Sequence, residues 1–101
     1  MRLQLAIDHG KEHEILAVVE KVAPEGDIVE IGFPMIVTYG LGLVKKIREM
    51  VPAKPICVDV KVYHGGTGVA SRCFDAGANI VSVLSVAPDP VIKKLVEKAK
   101  T

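Results

Sequence analysis

Asp59 and Lys61 stand two residues apart in the apolar run Pro55-Ile-Cys-Val-Asp-Val-Lys61, which continues Val-Tyr-His-Gly-Gly66. In a strand, a period of two puts both charges on one face, with Cys57 below them. Ile56, Val58 and Val60 then point the other way. A charged pair planted in an otherwise buried strand is costly unless it is paired or used. Either the two groups merely neutralise each other, or they sit at the mouth of a site. On these two residues alone the structural pair is the better reading, because ion-pair networks also occupy such places.

The elements around that run give the pair its context. Leu3 to Asp8 alternates as a strand and turns at His9-Gly10. Lys11 to Val22 carries Ile15, Leu16, Val18, Val19 and Val22 at helical spacing, and Pro24-Glu-Gly26 ends it. Asp27 to Gly32 is a second strand. A loop through Phe33-Pro34 leads to a helix ending near Met50, with Leu43, Val44 and Ile47 inward. After the strand at Pro55 to Lys61 comes His64-Gly-Gly-Thr-Gly68, then a helix with Val69, Ala70, Cys73 and Phe74 inward and Gly77 at its C-terminal cap. Asn79 to Ser85 is the fourth strand. Asp89-Pro90 opens a last helix that buries Val91, Ile92, Leu95, Val96 and Ala99 and pairs Lys93 with Glu97 outside. The chain therefore reads as four βα units, which predicts a parallel sheet with right-handed crossovers in one domain over residues 1–101. The second pair of units weakly repeats the first.

Parity sorts these strands into two faces. One is aliphatic throughout: Leu3, Leu5, Ile7; Val29, Ile31; Ile56, Val58, Val60; Val81, Val83. It is the face for helices. The other carries Gln4, Ala6 and Asp8, then Ile28, Glu30 and Gly32, then Cys57, Asp59 and Lys61, then Ile80, Ser82 and Leu84. Its charges fall on three neighbouring strands near their C-terminal ends, where α/β folds bind ligands. That convergence moves the reading from structure towards function. Glu30 and Asp59 could share one hard cation, since Mg²⁺ takes one or two carboxylates and keeps its waters. Lys61 beside them could stabilise an oxyanion or shuttle a proton. A metal plus a lysine suits an enediolate, and so carbon–carbon bond making or breaking beside a carbonyl. The alternative is an ion network with no ligand.

Bulk properties exclude other classes. The chain has 101 residues, half of them hydrophobic, which suffices for one core and not for two. A net charge of +1 without charge blocks argues against nucleic acid or a membrane surface as partner. No apolar run is long enough to span a bilayer, and the start lacks the pattern of a signal peptide. Cys57 and Cys73 have no metal-type spacing and read as small buried hydrophobes in a reducing cytoplasm.

Five segments carry a family resemblance: Leu-Gln-Leu-Ala-Ile-Asp8, Asp-Ile-Val-Glu30-Ile-Gly, Asp59-Val-Lys61, Ala-Gly-Ala-Asn-Ile-Val-Ser-Val-Leu and Ala-Pro-Asp-Pro-Val-Ile-Lys. Together, and without gaps, they resemble 3-hexulose-6-phosphate synthase and its relative 3-keto-L-gulonate-6-phosphate decarboxylase, within the orotidine-monophosphate-decarboxylase superfamily of (β/α)₈ barrels. The first activity condenses formaldehyde with ribulose 5-phosphate; the second decarboxylates a keto-sugar acid phosphate. The resemblance implies a Mg²⁺-bound enediolate, with Glu30 and Asp59 as metal ligands, Lys61 as the catalytic lysine and Asp8 touching substrate.

Two departures from that family bear on function. Its Asp-x-Lys-x-x-Asp signature ends here on His64, which is neutral or cationic where the family has an anion that reaches the partner subunit's site. The family also has eight βα units and grips phosphate after the last two strands, whereas four are present here. Four barrel strands leave two open edges and an inner face with no opposite wall. A second copy covers them most simply, so the expectation is a homodimer or higher oligomer, from an excised or an engineered half-barrel. An open, flavodoxin-like sheet is the alternative. The activity expected is therefore a lyase or aldolase on a sugar phosphate, against a self-associating scaffold with little turnover.

Lesser signals read more plainly. The glycines of 64–68 fit an ordinary βα turn better than a phosphate cradle. His9 and His13 are expected in solvent, and Phe33 and Tyr39 at an interface.

Overall fold

The computed structural model describes residues 1–101. Four strands, β1 (Gln4–Ile7), β2 (Ile28–Ile31), β3 (Ile56–Val62) and β4 (Ile80–Val83), alternate with helices. These are α1 (Glu12–Val22), α2 (Phe33–Tyr39), α3 (Leu41–Met50), α4 (Gly66–Asp75) and α5 (Asp89–Ala99). The strands lie side by side in the order β1-β2-β3-β4, every pair parallel. Consecutive order with right-handed crossovers keeps all helices on one face. A flavodoxin-like sheet needs a reversal of strand order and helices on both faces, so that alternative is overturned. The architecture is half of a (β/α)₈ barrel.

The aliphatic face makes the core. Ile7, Val29, Ile31, Ile56 and Val58 pack against Ile15, Val19, Leu43, Val44, Ile47 and Cys73 from the helices. Val62, Ala70 and Leu95 form a smaller cluster under α4 and α5. At the N-terminus of α1, the Glu14 carboxylate accepts the Lys11 N–H at 2.7 Å, satisfying a donor that the helix leaves free.

Several expectations need correction. No loop follows β2: the chain turns helical at Phe33, because Pro34 lies in the first turn, where a missing N–H costs nothing. Gly40, at φ 66°, then breaks the helix and α3 starts at once. Val69 is exposed on the outside of α4. In α5 only Leu95 is fully buried; Val96 and Ala99 lie open, since no further helix packs beyond them. Lys93 and Glu97 do not pair; the two ion pairs are Lys46–Glu12 and Lys61–Asp59. Tyr39, the last residue of α2, is half-buried and donates its hydroxyl to Gly10 O at 3.2 Å, which ties α2 to the turn after β1.

Candidate active site

Strand registers arrange the helix-free face in rows. Ala6, Glu30, Cys57 and Ile80 lie across the four strands. Continuing the alternation, Asp8, Gly32, Asp59 and Ser82 occupy the next level towards the strand C-termini. Acidic groups thus collect in the last two rows. Glu30 is half-buried and accepts the Gln4 side-chain amide at 2.5 Å.

Glycine at position 32 makes the upper row possible. A Cβ there would overlap Asp8 Oδ1 and approach Ile7 O to 2.8 Å. The Asp8 carboxylate leans into the space left by the missing side chain, and its charge reaches Lys61. At the same point Gly32 N–H donates to Ile7 O at 2.9 Å, which holds β1 and β2 together as the strands end.

Lys61 departs from the regular strand. Its φ is 47°, the only positive value at a non-glycine residue. Between Val58 and Val62 the pairing with β4 advances only from Val81 to Val83, so β3 bulges there. Left-handed backbone strains a residue with a Cβ and persists only where its surroundings over-determine it. Here Lys61 N–H donates to Ser82 Oγ at 2.9 Å, and Ser82 Oγ donates to Asp59 Oδ1 at 2.6 Å. Lys61 Nζ meets Asp59 Oδ2 at 2.7 Å and lies 5.9 Å from the Phe33 ring centroid.

These contacts set the charge states. Partial burial pushes the Asp59 carboxyl up. Hydrogen bonds from Lys61 and Ser82, the Lys61 charge and the Phe33 N–H outweigh it and hold the group below the usual carboxylate range. The hydrogen bond to Asp59 raises Lys61, with further support from the charges of Asp59, Glu30 and Asp8 against slight desolvation. Burial, then Glu30 and Asp59, push the Cys57 thiol up to about 11, so it stays protonated and inert at neutral pH.

Of the residues singled out in the sequence, Asp59 and Lys61 are in direct contact, and Asp8 and Glu30 act on Lys61 by charge. His64 is not drawn in: it is exposed, its ring edge-on to Tyr63 at 6.1 Å. Ser82 and Gly32 are the members whose roles parity alone left unassigned. In the turn before α4, Gly65 takes a left-handed φ of 65°, and a Cβ on Gly66 would press on Val91 at 3.1 Å. Turn geometry and helix contact account for both glycines.

No three acidic, histidine or cysteine side chains converge as a metal cluster. The donor set nevertheless suits one hard cation that keeps most of its waters. Glu30 and Asp59 offer carboxylate oxygens from neighbouring strands, each oxygen having a second lone pair beyond its present hydrogen bond.

A parallel half-barrel with its acidic and lysine groups at the strand C-termini defines the ligand-binding end of a (β/α)₈ enzyme fold. The chain belongs to the orotidine 5'-phosphate decarboxylase / HUMPS family, whose model matches residues 1–101. The 3-hexulose-6-phosphate synthase of Bacillus subtilis (strain 168) is 38% identical over 100 residues, covering 99% of this chain and 48% of its own length. A crystal structure of 3-hexulose-6-phosphate synthase superposes with a TM-score of 0.95 at 36% identity, over 99% of this chain and 48% of that one. The 3-keto-L-gulonate-6-phosphate decarboxylase of Vibrio cholerae gives 0.91 at 26%, over 98% and 48%. The chain spans about half the length of the curated relatives it matches. No helix is long and apolar enough to cross a membrane.

Proposed function

We propose that this chain carries the metal and lysine groups of a Mg²⁺-dependent carbon–carbon lyase of the 3-hexulose-6-phosphate synthase type. It acts through an enediolate on a sugar phosphate, in the cytoplasm, as a homo-oligomer and most simply a homodimer. One observation supports this above the rest: Lys61 is held in left-handed backbone at a bulge, with its ammonium on Asp59 in the row that Asp8 enters. A pair that only neutralised charge would need no such strain.

Glu30 and Asp59 are the residues that would hold the cation, which when bound supplies positive charge beside the oxygens of an enediolate. Lys61 stays an ammonium at neutral pH, because Asp59 raises its pKa. Its role is therefore to donate to a developing oxyanion rather than to abstract a proton. Asp8, over Gly32, orients substrate hydroxyls. His64, exposed beside Tyr63 just past the end of β3, is the remaining catalytic candidate at the rim.

The test is consumption of ribulose 5-phosphate and formaldehyde by the purified chain with Mg²⁺. Activity lost on chelation and in Glu30→Gln and Lys61→Ala supports the lyase. Equal behaviour of all three proteins supports a second reading, a half-barrel that folds and self-associates without turnover. That reading draws on Ile80 and Leu84, exposed on or just beyond the inner face where a barrel would have its opposite wall.

A further inference from the structure

The sheet has two free edges, each beside an apolar cleft. At β1 the cleft is lined by Ala6, Ile7, Ile15 and Val18, with Asp8 and Glu14 at its rim. At β4 it is lined by Val81, Val83, Ile92, Leu95 and Val96. Val18, Val83 and Val96 are 48%, 38% and 49% exposed. Unpaired parallel edges with apolar flanks are a template for another strand.

We infer that a second copy of this chain occupies both clefts head to tail, its β1 edge on the β4 edge of the first and its β4 edge on the β1 edge. Two observations select this occupant. A strand extending β4 in parallel must bring its helix to the same face and offer one free edge, which β1 with α1 does. Charge also favours unlike edges: α1 carries Glu12, Glu14 and Glu20 against Lys21, while α5 carries Lys93, Lys94 and Lys98 against Asp89 and Glu97. Pairing β1 with β1 would set two acidic helices side by side and leave β4 bare. Unlike pairing closes a ring around a two-fold axis.

Closure has a consequence for the site. The second copy's Asp8 enters next to Ser82, on the open side of the Asp59–Lys61 pair. The shared mouth then holds six carboxylates, Asp8, Glu30 and Asp59 from each copy, against two Lys61 ammonium groups. Like charges in one mouth oppose the ring, and a divalent cation offsets them, so Mg²⁺ tightens the dimer. This cation dependence rests on the metal reading above; the seam itself does not.

Sedimentation of the full chain at micromolar concentration tests both parts. The expected result is a dimer whose dissociation constant rises at least about tenfold in either Val18→Glu or Val96→Glu. Mixing the two variants regains the dimer, since one of the two seams is then unmodified. Both positions are exposed, and unchanged far-UV circular dichroism confirms folding. A wild-type monomer with and without Mg²⁺ overturns the proposal in favour of a different chain on these edges. Loss of the dimer in Val18→Glu alone, or no recovery on mixing, overturns the head-to-tail seam. If the seam pattern holds but millimolar Mg²⁺ leaves the wild-type constant unchanged, or tightens Glu30→Gln equally, the cation coupling is refuted and the seam stands.

Discussion

The two ends of the same sheet handle charge in opposite ways. At the N-terminal end, Arg48 of α3 spends its guanidinium on the backbone. Nε and Nη2 donate to Gly77 O at 3.0 and 2.8 Å, and Nη1 donates to Val51 O and Lys54 O at 3.0 and 2.7 Å. Asn79 Oδ1 takes a further Nη2 bond and the Ile56 N–H, while Lys54 Nζ reaches Gly26 O. At the C-terminal end, Lys61 has one ionic partner, a half-exposed side chain and a strained backbone. Asp8 and His64 are exposed. The same residue types are saturated where they close the fold and left open at the strand C-termini, the division that (β/α)₈ barrels make between their stabilising and ligand-binding faces.

Substitutions at the two ends should therefore fail differently. Lys61→Ala is expected to lower turnover about 10²–10³-fold, the loss typical of one oxyanion donor, and to leave the urea midpoint nearly unchanged. Arg48→Ala should do the converse. It strands Gly77 O and Lys54 O and leaves Asn79 Oδ1 with the Ile56 N–H alone, so unfolding should weaken by about 2–4 kcal/mol in urea titrations. A Lys61→Ala protein that unfolded as readily as Arg48→Ala would erase the contrast.

Ser82 sharpens it, because it serves the open end without being a ligand. Ser82→Ala removes the donor to Asp59 and the acceptor for Lys61 N–H at once. Mg²⁺ affinity measured by calorimetry should fall about 10-fold, the usual size of an outer-shell effect on a metal ligand. Wild-type affinity in Ser82→Ala would mean that Asp59 needs no orientation.

The element order, the aliphatic face and the placing of Asp8, Glu30, Asp59 and Lys61 near one end were legible from period and parity, because burial on one side of a strand forces a two-residue alternation. What hid from the sequence lay in register and packing. The bulge at Lys61 depends on how β3 meets β4, and nothing local in Val-Asp-Val-Lys encodes it. Ser82 matters only through that bulge. Phe33-Pro34 read as a loop, since proline signals a break unless one knows that it falls in the first turn. Val96 and Ala99 follow the helical period of a buried face, yet both lie open on α5, because period alone does not say how wide the packed stripe of a helix is. His64 stayed apart because the chain turns outward at Tyr63 before Gly65 enters its left-handed conformation.

Strain at Lys61 can be separated from its charge. Lys61→Ala and Lys61→Gly both remove the ammonium, but only glycine adopts φ 47° freely. Lys61→Gly should exceed Lys61→Ala in folded-to-unfolded ratio by roughly fivefold, read from urea midpoints, with turnover lowered alike in both. Equal stability would mean that the bulge is relaxed and not imposed.

The smallest expected effect is the pH dependence of the ion pair. Asp59 is lowered, so its contribution is present above the ordinary carboxylate value, about 4, and is lost as pH falls through the lowered one. Lys61 is raised, so its contribution is present below the ordinary lysine value, about 10.4, and is lost as pH climbs past the raised one. The difference in melting midpoint between wild type and Asp59→Asn should accordingly be flat from about pH 5 to 9 and narrow at both extremes, shrinking with added salt. A difference that changes steeply between about pH 6 and 7 would place the titration outside the Asp59–Lys61 pair, and that pair would then no longer be what organises the open end.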